Sequence, residues 1–407
     1  MPTNTMTFNQ VATLLNAVQQ QATGQTGIVA TNTADFVSVA NTVLQTGVDP
    51  VMNAINQVLT RTIFSIRPYS RKFGIVEVSE SAYGNHIRKL QIADKPVRDD
   101  DRYKWPVAHD STQTPPSGEG QSVDQQVLSK NSVLQTNFYG QNVFEDSYTI
   151  FRDQLENAFT GPEQMGSFFS MVTQNMSDKL EQVRENMGRA VVANFIGGIL
   201  DENASVHGVQ DRVVHLLTEY NTLTGLSLTA QTVMQPANYK AFVQWAYSRI
   251  LTISGMMTER SQKYQTVVNG LPIMRHTPKA NQKMMIYAPA SYEMTTMAVA
   301  DVYHDRLLQM GAYETVNFWQ SIDTPDTIQV TPGRIGANGA VVIGSAVNQA
   351  NVFGVIYDEE ALGYTTTQQW SSPAPFNARG GYTNVWLHET QRLWNDHSEK
   401  GVVLLLD

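Results

Sequence analysis

The stretch DKPVRDDDRYKW, residues 94–105, sets three consecutive carboxylates, Asp99, Asp100 and Asp101, between Arg98 and Arg102, with Lys95 and Lys104 just outside. Oxygen ligands of this kind suit calcium or magnesium. Successive residues of an extended chain point to opposite faces, so three in a row do not converge on one ion. The flanking arginines also compete for the same oxygens. Salt bridging, to solvent-exposed partners or to another subunit, is the simpler reading.

Other candidates are incomplete. DVYHD places Asp301, His304 and Asp305 at i, i+3 and i+4, neighbours on one helix face. No second motif completes a metal set, so a metal-dependent hydrolase on these residues stands only as an alternative. HETQRLWNDH holds His388, Glu389, Asp396 and His397, without the HExxH spacing that puts two imidazoles one turn apart on zinc. Gly333, Gly336 and Gly339 in GRIGANGAVVIG lack the GxGxxG spacing, and neither GxxxxGK[ST] nor GxSxG occurs. With no cysteine, thiolate metal sites, disulfides and cysteine nucleophiles are excluded. No catalytic residue, cofactor or metal is expected.

The 407 residues allow two or three compact units. Apolar residues make up 42%, charged residues 16%, and the net charge is -9. A chain that grips phosphates shows basic runs, and none is present, which argues against sequence-specific nucleic-acid binding. The N-terminus lacks a basic-then-apolar leader and no apolar run reaches membrane-spanning length, so a soluble, cytoplasmically made protein is expected.

What would position these residues is an α+β chain. Residues 1–60 carry only Asp35 and Asp49 as charged side chains and read as short amphipathic helices joined by a Gly/Thr-rich link. Disordered tails are richer in charge, so this segment is built to lie against protein. NHIRKLQIA and QVLSKNSVLQTNFYG read as two strands, and residues 94–125 between them show no apolar period. A long projecting hairpin fits, and an isolated hairpin is marginally stable in water, so it needs a neighbour. The next segment starts a helix at Pro162 and Glu163 and offers Gly197-Gly198 as its end. Met165, Phe168, Val172, Met176, Leu180, Val183, Met187, Val191 and Phe195 recur in steps of three or four, one helical face. Asp178, Lys179, Glu181, Arg184, Glu185 and Arg189 take the other. Residues 162–196 would span about 50 Å. Further on, VQDRVVHLLTEYN and PANYKAFVQWAYSRILTI read as helices, and YQTVVNGLPIMRHT and QKMMIYAPASYEMTTMA as strands with turns. ANVFGVIYDEE, TTTQQWSS, TNVWLHETQRLWN and KGVVLLLD read as strands returning towards the long helix.

This order of elements resembles the major capsid proteins of tailed phages, the Hong Kong-97-type capsid fold. More narrowly it is similar to capsid proteins of short-tailed phages of the phi-29 type, on RTIFSIRPYSRKF, NFYGQNVFEDSYTIFRDQLENAF and GGYTNVWLHETQRLW. The resemblance implies an N-terminal arm at 1–60 and an E-loop hairpin with its base at 61–145. It implies a peripheral domain with the spine helix at 146–221, an axial domain at 222–350 and returning peripheral strands at 351–407. The type member's immunoglobulin-like domain has no counterpart of sufficient length here. The implied function is a non-enzymatic shell subunit forming pentamers and hexamers around double-stranded DNA, in a virion assembled in the host bacterial cytoplasm. Scaffolding and portal partners, weak contact with DNA and no membrane contact go with it. An encapsulin-type compartment is the alternative cargo. The E-loop of this family lies across an adjacent subunit, which would make Lys95, Arg98, Asp99, Asp100, Asp101, Arg102, Tyr103, Lys104 and Trp105 interface residues. Aromatic side chains such as Tyr103 and Trp105 are the natural anchors there.

Overall fold

The structure, a computed structural model, describes residues 8–23, 33–46, 50–51, 54, 72–77, 87–93, 95, 126, 128, 130–205, 212–271, 273–289, 313–336 and 338–407. Its longest element is a 44-residue helix, Pro162–Ser205, about 66 Å at the standard rise. Before it come two helices, α1 (Phe8–Thr23) and α2 (Thr33–Gln45), strands β1 (Ile87–Ile92), β2 (Val133–Phe138) and β3 (Gly140–Phe151), and the short helix α3 (Arg152–Ala158). The long helix is α4. After it come β4 (Val213–His215), α5 (Leu216–Thr224), α6 (Ala230–Val233) and α7 (Pro236–Thr258). Strands β5 (Gln282–Tyr287), β6 (Tyr313–Val316), β7 (Ile328–Val330), β8 (Gly333–Ile335), β9 (Val341–Ile343) and β10 (Val347–Gln349) follow. The chain closes with β11 (Val352–Asp358), β12 (Leu362–Pro373), β13 (Tyr382–Asn395) and β14 (Gly401–Leu405). Two short helices, a hairpin, the long helix, a mixed segment and a closing set of strands thus follow one another along the chain.

The uninterrupted apolar runs of β11 and β14 reflect burial on both faces. They lie in a five-stranded sheet of order β4-β14-β11-β5-β6. Because side chains alternate along a strand, Val402 and Leu404 pack with Ile356, Met284 and the α7 residues Phe242, Ile250 and Ile253 on one side. Val403 and Leu405 pack with Val355, Met285 and the α4 residues Val192, Phe195 and Ile199 on the other. The second half of α4 and α7 therefore sandwich this sheet.

The first half of α4 meets a different layer. Strands β12, β13 and β3 form an antiparallel sheet with β13 central. At its end, Ile150 and Val385 join Leu155, Phe159 and Met165 in a core with Val11, Leu15 and Val18 of α1 and Phe36, Val39 and Val43 of α2. The nearly uncharged N-terminal segment thus packs, in these two helices, on its own subunit.

Several expectations change. Gly197 and Gly198 do not end α4, which runs on to Ser205. They are close-approach glycines: a Cβ on Gly197 would overlap Val330, and one on Gly198 would overlap the ring of His397. The added turns bring Asp201 to Arg334 (2.7 Å) and to the Ser345 amide (2.9 Å), and Glu202 to Arg212 (3.1 Å). The polar face of α4 is also not uniformly solvated. Glu185 and Arg189 are buried and pair at 2.6 Å, with the Arg189 guanidinium stacked over Phe73 and Phe318. YQTVVNGLPIMRHT, read as strand with turns, has described residues in an irregular extended run with one β-bridge, from Arg275 to Ser261. VQDRVVHLLTEYN, read as one helix, opens with β4 before α5 begins. Strand β3 escaped recognition because polar Asn142 and Asp146 sit on the same strand face as Phe144, Tyr148 and Ile150, which breaks the apolar alternation.

Candidate functional site

Strands β1 and β2 pair antiparallel, from Ile87 opposite Phe138 to Ile92 opposite Val133. The two faces of this hairpin differ sharply. On the outer face Leu90, Ile92 and Val133 are 58%, 61% and 60% exposed. On the other face the alternation presents Ile87, Lys89 and Gln91 to the body. A groove of about 860 Å³ separates β2 from α4 and the β8–β9 hairpin, with Tyr139, Met187, Asn194 and Val341 on its walls.

What the inner face meets is the turn from β13 to β14, Asp396-His397-Ser398-Glu399-Lys400. Every residue in it is polar and every one is buried. Lys89 lies 3.2 Å from Asp396 and 3.0 Å from Glu360, and is bonded more closely still to Glu399. Arg275 pairs with Glu399 and donates to Gln91 (2.5 Å) and to the Ser398 hydroxyl (2.9 Å). The Ser398 amide and hydroxyl both donate to Asp396, at 3.0 and 2.5 Å. This corner is held from behind as well. Arg212 donates to the carbonyls of His397 (3.0 Å) and Gly401 (3.1 Å), and Lys400 donates to the Glu259 carbonyl (2.8 Å).

The electrostatics follow from these contacts. Burial alone would lift the Asp396 carboxyl, but Lys89, Ser398 and Arg275 outweigh it and hold it below the usual carboxylate range. Glu399 goes the other way, raised because burial exceeds the pull of Lys89 and Arg275. For Lys89, burial is more than reversed by Asp396, Glu399 and Glu360, so it stays charged. His397, stacked on Phe195 at 5.1 Å, is pushed down to about 3 by burial and then by Arg212, so it is neutral. Lys400 is lowered to about 8 by burial. Glu360 is exposed while Asp396 and Glu399 are buried, and removing the partner of a buried charge leaves it uncompensated.

The residues singled out in the sequence scatter. Of the nine hairpin residues only Lys95 is among the described ones, and it is exposed; Arg98, Asp99, Asp100, Asp101, Arg102, Tyr103, Lys104 and Trp105 lie outside them. So do Asp301, His304 and Asp305. The four of HETQRLWNDH do not share a site. His388 stacks on Trp370 at 4.0 Å on the outer sheet face, whereas Glu389 is buried on the inner face, accepting two bonds from Arg184 at 3.0 and 2.9 Å. Asp396 and His397 belong to the corner. Among the described residues no group of three His, Asp or Glu side chains is placed to hold a metal ion, and no helix is long and apolar enough to cross a membrane. The corner itself was missed in the sequence. Its one signal was five polar residues wedged between two apolar strands without a glycine or proline until Gly401.

The structure of the chain is similar to the capsid structure of Staphylococcus phage Andhra, at 10% identity and a TM-score of 0.49, over 85% of this chain and 87% of the other. It is also similar to the capsid structure of cyanophage P-SCSP1u, at 12% identity and a TM-score of 0.44, over 84% and 90% of the two chains. No curated protein sequence matches it. The family comparison is decisive: the profile of the Phi29-like phage major capsid proteins matches residues 15–405, nearly the whole sequence. A match of this extent places the chain in the Phi29-like phage major capsid protein family.

Proposed function

We propose that copies of this chain close, as pentamers and hexamers, into an icosahedral shell around double-stranded DNA, in a role that is structural and not enzymatic. The hairpin is the element that reaches a neighbouring copy, with residues 95–105 in its contact. The observation that carries this reading is the outer face of β1 and β2, where Leu90, Ile92 and Val133 are all more than half exposed. These three side chains cluster at one end of a face shared with Arg88, Gln135 and Asn137, and a two-stranded sheet gains stability when such exposed apolar side chains are covered. In this scheme residues 1–60 are the arm, 61–145 the hairpin and its base, and 146–221 with 351–407 the peripheral domain. Residues 222–350 form the axial domain.

The acidic balance suits a container. Each phosphate neutralised by a cation adds salt-dependent affinity, and a net charge of -9 keeps the wall from gripping DNA that must later leave. Assembly in the bacterial cytoplasm with scaffolding and portal partners completes the proposal. Negative-stain microscopy of the expressed chain, with light scattering for mass, tests it. Closed shells or tubes support it. A 45.3 kDa monomer that persists when the phage's other head proteins are co-expressed overturns it.

A further inference from the structure

Three carboxylates and two cations meet where the hairpin joins the body. From β1 come Lys89 and Gln91; from the segment before β5, Arg275; from the turn between β11 and β12, Glu360; from the corner, Asp396, Ser398 and Glu399. The other nearby cations are bonded on the body side. Lys400 points to the Glu259 carbonyl and the Ser261 hydroxyl, and Arg212 to Glu202 and Thr266.

Lifting β1 off the body therefore withdraws Lys89 and leaves Glu360, Asp396 and Glu399 facing Arg275, with Arg212 behind Asp396. Asp396 and Glu399 lie on the turn between β13 and β14, where the Ser398 amide and hydroxyl hold Asp396 from within the body, and both are buried in the docked state. A buried carboxylate that loses its counter-charge takes up a proton in preference to staying ionised. We propose that this cluster is a proton-controlled latch: the hairpin root is docked while Asp396 and Glu399 are ionised, and swings free as they take up protons.

The sign follows for both groups. In the docked state Lys89 pulls each carboxyl down, although burial pulls Glu399 up by more. With Lys89 withdrawn and the corner still closed by β13 and β14, both would bind protons more tightly in the undocked state. Docking is then strongest at neutral pH and weakens as the pH falls, by up to about tenfold in the docking equilibrium per pH unit for each proton taken up.

The test is hydrogen exchange, read by mass spectrometry on the full-length, unassembled chain from pH 7 to pH 5 and corrected for intrinsic rates. Expected is a progressive loss of protection in residues 87–92 and 133–138 while β11 and β14 keep theirs. Glu399→Gln and Asp396→Asn should each loosen the hairpin at pH 7 and flatten its pH dependence, whereas Glu156→Gln, in an exposed pair with Arg152, should match the parent. Hairpin protection that is flat with pH in the parent chain overturns the proposal. So does protection lost only in step with β11 and β14, or a parental pH slope in both corner variants. If neither variant folds, the parent's own pH series decides. No assembly is needed, so a negative result leaves the shell reading intact.

Discussion

The imidazole of His397 lies against the backbone of Gly198, where a methyl group would overlap the ring nitrogen Nε2. Two segments 199 residues apart meet at a point with no room for a side chain. Gly198→Ala should therefore destabilise the subunit, by about 1–3 kcal/mol, the usual range for overpacking. On helix propensity alone, alanine would stabilise a mid-helix position by about 1 kcal/mol. Urea denaturation gives the sign, and a more stable variant would refute the close-packing account.

The pair formed by Arg184 and Glu389 ties α4 to the central strand of the three-stranded sheet through two bonds at 3.0 and 2.9 Å. Glu389 is fully buried. Glu389→Ala removes two charged hydrogen bonds and leaves Arg184 only Glu181, at 3.1 Å, and should cost about 1.5–3 kcal/mol. Glu156→Ala breaks the exposed pair with Arg152 at 2.6 Å and should cost less than about 1 kcal/mol. Equal thermal shifts for the two variants would contradict this ranking.

His397 carries a pH dependence of its own. Its folded-state affinity for protons is depressed to about 3 by burial and Arg212, whereas in the unfolded chain it titrates near about 6.5. Between these values the unfolded state binds the extra proton, so stability falls as the pH drops through this window. One such group contributes a slope of up to about 1.4 kcal/mol per pH unit. His397→Gln should lower that slope between pH 6 and pH 5, as read from denaturation midpoints; an unchanged slope would mean that the ring is not held neutral.

The hairpin face makes a prediction about assembly. Leu90→Asp with Ile92→Asp changes two exposed side chains, so monomer stability should move by no more than about 1 kcal/mol, about 0.5 for each, while shell formation fails. Sedimentation velocity distinguishes shells from free subunits. Normal shells from the double variant would mean that this face is left open to solvent.

The triple replacement of Asp99, Asp100 and Asp101 by serine addresses the hairpin's charges. The expected result is a folded subunit with impaired assembly, since interfacial charges set register and leave their partners unpaired when lost. Shells of normal yield would assign the three carboxylates to solvent.

Local pattern carried much of the architecture. The three-to-four spacing from Met165 to Phe195, the proline at the start of α4 and the apolar runs of β11 and β14 depend only on periods of 3.6 and 2, which the sequence by itself determined. The hairpin followed from two strand-like segments around a stretch with no period. The burial of charge was a tertiary decision. Asp396-His397-Ser398-Glu399-Lys400 reads as a solvated turn, and it is buried because Lys89, 310 residues away from Glu399, and Arg275, 124 residues away, bring the opposite charge. Gly197 and Gly198 likewise look like a helix end until β7 and His397 arrive from distant parts of the chain. Periodicity is a local property and survives in the sequence; the cost of burying a charge or the room for a methyl group depends on what is packed against it, and only the folded chain settles that.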